Sequence, residues 1–341
     1  GLQAAERISI GESAMAWEPT WSPDGKSIAF VDDDLRVRVI DLDSRKIRTA
    51  DMGGTNIERG FNGLAWSPDS NWLAYSTTGS NHFRRIKVWS RKDGEVRNLT
   101  NAFADAFSPA WDMGGKYLYF LASTDVALGS GWANTSSMTS RPVYAAYIIN
   151  LAKETESPFE SRSDEEEANK ESSNDKNGSD EKKKEDKAPD PVVIDFAGIE
   201  RRILPMPVPG RDYRMTISGP AGSVFIGEQV PNGENMVLQK FSLEEREAKP
   251  FSEGVLSAAI SADGNKLLVH TGAGWQVLDA TAAEAQEPAS LSLNLKMKLE
   301  RSDEWSQIFE EAWRYQRDYF YDPDMHGRDW DEVYRRYAPL V

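Results

Sequence analysis

Trp21-Ser22-Pro23-Asp24-Gly25-Lys26-Ser27-Ile28-Ala29-Phe30 decides the fold, because the chain returns to it. Trp66-Ser67-Pro68-Asp69-Ser70-Asn71-Trp72-Leu73-Ala74-Tyr75 is a second copy and Trp111-Asp112-Met113-Gly114-Gly115-Lys116-Tyr117-Leu118-Tyr119-Phe120 a third, each starting 45 residues after the one before. Ile260-Ser261-Ala262-Asp263-Gly264-Asn265-Lys266-Leu267-Leu268-Val269 is a later copy, and a degenerate one begins 43 residues before it at Ile217. In each copy an apolar strand ends at Trp or Ile. A tight turn follows, in which proline presets φ, aspartate bonds nearby backbone and glycine accepts positive φ. The next strand alternates, as in Ser27-Ile28-Ala29-Phe30, the pattern of a half-buried strand. A third strand follows, as in Val37-Arg38-Val39-Ile40-Asp41-Leu42 or Ile86-Lys87-Val88-Trp89, and a further turn leads to an outer edge strand.

Four short strands per unit at a period near 40–45 residues is the pattern of β-propeller blades. One such turn alone would be an ordinary hairpin; several copies in register specify a repeat. The expectation is therefore an all-β chain: a partial β-propeller over residues 1–300 with about five blades, starting near Trp17, Phe61, Asp105, Asp212 and Val255. A closed propeller usually has more blades, so one or two are expected to precede Gly1. Between the third copy and the degenerate one lies a surplus of about 61 residues over one period. It coincides with residues 153–190, which are rich in Glu, Asp, Lys, Ser and Asn and carry a net charge of −6. Such a stretch has too little apolar surface to offset its ordering entropy, and it is expected to be a disordered acidic insertion in the third blade.

After residue 300 the period changes. Trp305, Ile308, Phe309, Ala312, Trp313 and Phe320 recur at helical spacing, with Ser302 or Asp303 as the expected cap. Tyr321-Asp322-Pro323-Asp324-Met325-His326-Gly327 breaks that helix. A second starts at Asp329, with Glu332 three residues on in a capping box and Trp330, Val333 and Tyr337 on its apolar face. Residues 301–341 thus read as the start of a helical domain, giving two domains, 1–300 and 301–341.

Composition narrows the function. The chain has 341 residues, a net charge of −15 and no cysteine. An acidic surface repels phosphate backbones, so no nucleic-acid partner is expected. Without cysteine there is no disulfide, thiolate metal site or cysteine nucleophile. No apolar run approaches the roughly 20 residues that span a bilayer, so no membrane partner is expected. The three histidines, His82, His270 and His326, stand in unrelated settings. His82 reads as a hairpin residue, His270 as the end of a blade strand, and His326 as a turn residue between helices that bonds backbone or packs on Trp330. The run Asp32-Asp33-Asp34 lacks the glycine and distal glutamate of a calcium loop and reads as a hairpin tip. No catalytic, cofactor-binding or metal-binding residue is assigned, and no cofactor is expected.

The segment Asp303-Glu304-Trp305-Ser306-Gln307-Ile308-Phe309-Glu310-Glu311-Ala312-Trp313-Arg314, with Arg317-Asp318-Tyr319-Phe320-Tyr321-Asp322-Pro323-Asp324-Met325-His326-Gly327-Arg328-Asp329-Trp330, resembles the opening of the helical domain of the tricorn protease family. The blades resemble that family's second propeller, and Thr139-Ser140-Arg141-Pro142 with the charged insertion resembles its bacterial members. The resemblance implies a seven-bladed propeller of which this chain holds about five blades. It also implies a parent serine peptidase that cuts short peptides, assembles as a hexameric ring and resides in the cytoplasm, with the periplasm as the alternative. The family's catalytic histidine follows a serine directly, and no Ser-His pair occurs here. The catalytic residues are therefore expected beyond Val341, and the segment alone is expected to be inactive, serving as a substrate-gating, peptide-channelling propeller. The competing reading is a non-enzymatic WD-type or TolB-like scaffold for protein partners, which has no reason to carry the helical segment. A prolyl-oligopeptidase-type propeller would be followed by a G-x-S-x-G elbow, which is absent.

Overall fold

The repeat turns close through one small network. Ser22 Oγ donates to Asp24 Oδ1 at 2.5 Å and accepts from Ser27 N at 2.9 Å. Ser67 with Asp69 and Ser261 with Asp263 repeat both bonds at the same lengths. Each aspartate also accepts from the amide two residues on, at 3.0–3.2 Å. The residue after it is left-handed: Gly25 at φ 68°, Gly264 at φ 73°, and Ser70 at φ 60° where the second copy has no glycine.

The computed structural model describes residues 8–11, 15–53, 63–125, 143–160, 189–284, 289–293, 296 and 298–341. They fall into two units, 1–291 and 292–341. In the first, the repeats become antiparallel sheets. Strands β1 (Ala16–Trp21), β2 (Ser27–Asp32), β3 (Arg36–Asp41) and β4 (Ile47–Met52) form one four-stranded sheet in sequence order. Strands β5 (Ala65–Trp66), β6 (Trp72–Thr78), β7 (Arg84–Ser90) and β8 (Val96–Asn98) form the second. The third has β9 (Asp105–Trp111), β10 (Tyr117–Ser123), β11 (Ala145–Asn150) and β12 (Ile203–Pro205).

The last two blades share one seven-stranded sheet of β13 (Tyr213–Ser218), β14 (Ser223–Gln229), β15 (Met236–Ser242), β16 (Glu247–Ile260), β17 (Lys266–Thr271), β18 (Gly274–Asp279) and β19 (Ala289–Leu291). β16 belongs to both. Its first half pairs with β15 (Ser242 with Glu247, Leu238 with Ser252) and its second with β17 (Ile260 with Leu267). Val255 pairs on both sides, and Gly254, left-handed at φ 68°, sits at the changeover.

Successive innermost strands β1, β5, β9, β13 and the second half of β16 touch one another, which sets the five blades radially. The core lies between blades. Trp66 and Trp89 meet edge to face beside Val37 and Val39; Trp111 and Phe120 join Ile86 and Val88. Tyr119 and Phe107 join Val224 and Phe241, and Phe225 joins Val255 and Val269. The repeat tryptophans are also polar ties. Trp66 Nε1 donates to Thr20 O at 3.1 Å and Trp111 Nε1 to Ala65 O at 2.9 Å, each reaching the residue just before the preceding blade's tryptophan.

A charged tie joins the second and third blades. Arg84 on β7 donates through Nε to Asp105 Oδ1 at 2.9 Å and through Nη2 to Oδ2 at 2.6 Å, and its backbone amide also reaches Oδ1 at 2.8 Å. The guanidinium lies 3.9 Å from the Phe107 ring centre. Asp105 is buried, so Asp105→Asn leaves a desolvated cation facing an amide. We expect it to cost about 2 kcal/mol of unfolding free energy, read by urea titration; a loss within error of zero would show that the pair is solvent-screened.

The charged stretch 153–190 lies for its greater part, 161–188, outside the described residues, as do Phe61 and the stretch 139–142. Its flanks are ordered. Phe159 sits edge-on to Phe241 at 6.4 Å, and Arg246 Nη2 donates to Glu160 O at 2.6 Å. On the return, Val192 N donates to Asp69 Oδ2 at 2.8 Å and Trp72 Nε1 to Val192 O at 3.2 Å. Composition averaged over the whole stretch hides Phe159, an apolar anchor near its start.

The second unit has two helices, α1 (Arg301–Tyr319) and α2 (Trp330–Tyr337). α1 starts two or three residues earlier than a Ser302 or Asp303 cap would place it: Glu300 is the N-cap and makes no side-chain cap bond. Asp329 caps α2 as expected, accepting from Glu332 N at 2.9 Å. The helices are clasped by a reciprocal pair: Trp313 Nε1 donates to Trp330 O at 3.0 Å and Trp330 Nε1 to Trp313 O at 3.1 Å. Tyr334 packs on Phe309 and Trp313. Trp305 and Ile308 share the helical period but are exposed within this unit.

Candidate functional site

The inner strands of the first three blades share one irregularity. Three residues before each repeat tryptophan, the inner strand holds a left-handed residue: Glu18 at φ 54°, Gly63 at φ 65° and Ser108 at φ 55°. These positions link blade to blade. Gly63 N donates to Glu18 Oε2 at 2.9 Å, and Gly63 stands in contact distance of Pro109 and Ser108 of the next inner strand. Thr216 N donates to Ser108 Oγ at 2.8 Å, and the Thr216 hydroxyl donates to Ser108 O. Left-handed non-glycine residues are costly and persist where surrounding contacts fix them. Here those contacts hold the inner strands in register around the axis.

A cavity of about 600 Å³ opens among the third, fourth and fifth blades, lined by Tyr117, Gly222, Lys240, Glu245 and Lys249 among others. Lys240 Nζ donates to Ala280 O at 2.8 Å and Ala282 O at 2.7 Å, and its ammonium lies about 6 Å from the Phe225 and Phe251 rings. Burial holds its pKa below the ordinary lysine value. The side chain is a strut between blades.

Next to Gly222, which lines this cavity, the third repeat departs from the others. Asp112 stands where the copies at Trp21, Trp66 and Ile260 have serine, and Gly114 where those three have aspartate. Asp112 is buried, and its Oδ1 accepts from Gly222 N of the next blade at 2.7 Å. Desolvation pushes its pKa up, against the bonds from the Gly222, Lys116 and Gly114 amides. A Cβ on Gly114 would lie 2.8 Å from Asp112 Oδ2, so the carboxylate occupies the room the usual aspartate would need.

The histidines and the acidic run sit apart. His82 is at a hairpin tip, left-handed at φ 63°, its amide donating to Gly79 O at 3.0 Å. His270 on β17 stacks on Trp275 of β18 at 4.4 Å between ring centres. Asp32 is tied to Arg36 Nε at 2.7 Å and Arg38 Nη1 at 3.5 Å, and among the described residues no group of three His, Asp or Glu could hold a metal ion. His326 occupies the turn between α1 and α2. Its ring contacts are with Phe320 and Tyr321, and its ring nitrogens face Asp322 and Tyr321. Trp330, the expected packing partner, is taken up by Trp313. Sequence reading missed the partnership of Tyr321 with His326; adjacency in a tight turn was its only signal.

Residues 3–281 match the family model described as the tricorn protease second beta propeller domain, and residues 301–341 match the tricorn protease C1 domain. The chain belongs to the tricorn protease family. Tricorn protease homolog 1 of Streptomyces coelicolor is 27% identical over 99% of this chain and 32% of its own length. The tricorn protease homolog of Saccharolobus solfataricus is 24% identical over 100% of this chain and 30% of its own length. A crystal structure of the tricorn protease superposes with a TM-score of 0.73 at 17% identity, covering 95% of this chain and 31% of that one, and so shares its fold. The chain spans about a third of the length of these tricorn relatives. No helix among the described residues is long and apolar enough to cross a membrane.

Proposed function

We propose that this chain is the substrate-gating, peptide-channelling propeller segment of a tricorn-type serine peptidase, and that peptide hydrolysis is carried out by other parts of the parent protein. The observation that carries the reading is the succession of a tricorn second-propeller match and a C1-domain match in one chain. A propeller scaffold of the WD or TolB kind gives no account of the second match. The interlocked inner strands, tied through Glu18, Gly63, Ser108 and Thr216, suit a rigid rim that admits an extended peptide and turns away a folded protein. On this reading the parent assembles into a hexameric ring and acts in the cytoplasm.

Serine-type hydrolysis needs a nucleophile, a base in hydrogen-bond contact with it, and an oxyanion hole. The histidines of this chain supply no serine–histidine contact among the described residues. The purified chain is expected to leave a fluorogenic peptide uncut, while the intact parent cuts short unfolded peptides and spares a folded protein. Turnover by the purified chain would overturn the assignment of chemistry. A parent that degrades the folded protein as fast as the peptide would overturn the gating role.

A further inference from the structure

We propose that Tyr321 is a reactive phenol nucleophile, a modification site for activated acyl esters and thioesters, with His326 as its base and Asp322 as the positioning residue. The geometry is a three-group relay. Tyr321 Oη lies 2.5 Å from His326 Nε2, and His326 Nδ1 lies 3.0 Å from Asp322 Oδ2. The carboxylate accepts, so Nδ1 carries the proton and Nε2 is left as the acceptor for the phenol. This is the order of groups that activates a hydroxyl nucleophile elsewhere, with tyrosine in the place of serine.

The ring is held in place. Asp322 Oδ2 also accepts from the His326 amide at 3.1 Å, Oδ1 accepts from Asp324 N at 3.1 Å, and Met325 N donates to Asp322 O at 2.9 Å. These bonds enforce three consecutive left-handed residues, Met325 at φ 51°, His326 at φ 54° and Gly327 at φ 73°. Two of the three are not glycine, a conformation that L side chains adopt only where surrounding bonds hold it. The Phe320 ring meets the imidazole edge to face at 5.5 Å. The phenol itself faces solvent, Tyr321 being 79% exposed, so an incoming electrophile meets no barrier within this unit.

The step balances without a co-reactant. The Tyr321 oxygen bonds to the acyl carbon while its proton passes to His326 Nε2. The bond from the acyl carbon to the leaving oxygen or sulfur breaks, the leaving group departs as an anion, and the imidazole returns its proton to solvent. The product is an acyl-tyrosine. This reactivity is separate from peptide hydrolysis: no oxyanion donors stand beside Tyr321 among its described bonds, which confines it to activated donors.

The test is 4-nitrophenyl acetate on the full chain, with acetylated residues located by peptide mass spectrometry. Tyr315 and Tyr337, also exposed and on the same unit, are internal references. Tyr321 is expected to be acetylated on the order of a hundredfold faster than either. The charged group bonded to His326 in the described residues is Asp322, so Asp322→Asn should lower the Tyr321 rate, while Asp322→Glu, which keeps a carboxylate, should recover part of it. His326→Asn keeps a residue that tolerates the left-handed conformation, leaving the turn intact by circular dichroism, and should bring Tyr321 down to the reference rate. Equal rates for the three tyrosines, acetyl on His326 in place of Tyr321, or an unchanged rate in a folded His326→Asn chain would each overturn the proposal.

Discussion

Trp111→Ala is expected to lower the unfolding free energy by about 4 kcal/mol, while Trp21→Ala, the same position of the repeat, is expected to cost about 0.5 kcal/mol. Trp111 is 1% exposed, fills the space between the second and third blades against Ile86, Val88 and Phe120, and ties Ala65 O through its indole. Its truncation removes the transfer free energy of the ring, leaves a cavity in a close-packed core and orphans a carbonyl. Trp21 is 60% exposed. Guanidinium chloride titrations of the two variants decide the matter. Similar losses would mean that the tryptophan acts within its own blade, and that the blade-to-blade seam is not where this propeller gains its stability.

The second large effect concerns Asp112 and Gly114. Asp112→Ser alone removes the acceptor of Gly222 N and is expected to cost about 2 kcal/mol. Gly114→Asp alone forces a Cβ to within 2.8 Å of Asp112 Oδ2 and sets two carboxylates together, for about 2 kcal/mol. The double variant restores the serine–aspartate pair of the other repeats, in which Asp69 already turns an oxygen toward Val192 N. Its cost should fall well below the sum of the two, a coupling of about 2 kcal/mol. The pH dependence should change sign as well. The pKa of Asp112 is raised, so its contribution is full below the unfolded carboxylate value of 3.8 and is lost as pH rises through the folded value. The pKa values of Asp24 and Asp263, in the usual arrangement, are lowered, so their contribution is present above 3.8 and lost as pH falls. The double variant should therefore gain on the wild-type chain as pH is raised to neutrality. Additive costs would show that the two positions do not share one network.

The turns were legible because the bonds that close them are local: Ser22, Asp24 and Gly25 bond within residues 22–27, and the further bonds of Asp24 to Ser70 and Arg91 of the next blade are added to a turn already closed. The blade period followed from those turns, and the capping box at Asp329 and Glu332 is local in the same way. What was not legible depends on neighbours distant in sequence. Asp112 answers Gly222, 110 residues away, and the exchange of serine for Asp112 and of aspartate for Gly114 gains its meaning only when that partner is in place. The α1 start was misread because Ser302 and Asp303 are good caps by type, while the backbone turns helical before reaching them. The helical spacing of Trp305 and Ile308 promised burial, which the contacts of this unit do not give them. His326 was read as a turn residue, and its position there agrees; its ring bonds depend on a backbone conformation that residue type does not announce.

β16 has a mechanical consequence. It is the outer edge of one blade and the axis-side strand of the next, without a loop between, so the fourth and fifth blades have no slack at their joint. A load that peels the outer edge away from β15 is carried along the same backbone into the pairing with β17. The two blades share that backbone, whereas the earlier blades are separate sheets held to one another by loops, core side chains and the Trp66, Trp111 and Arg84 ties. The joint nearest the helical unit in sequence is thus carried by continuous backbone, and left-handed Gly254 is where that backbone changes blades.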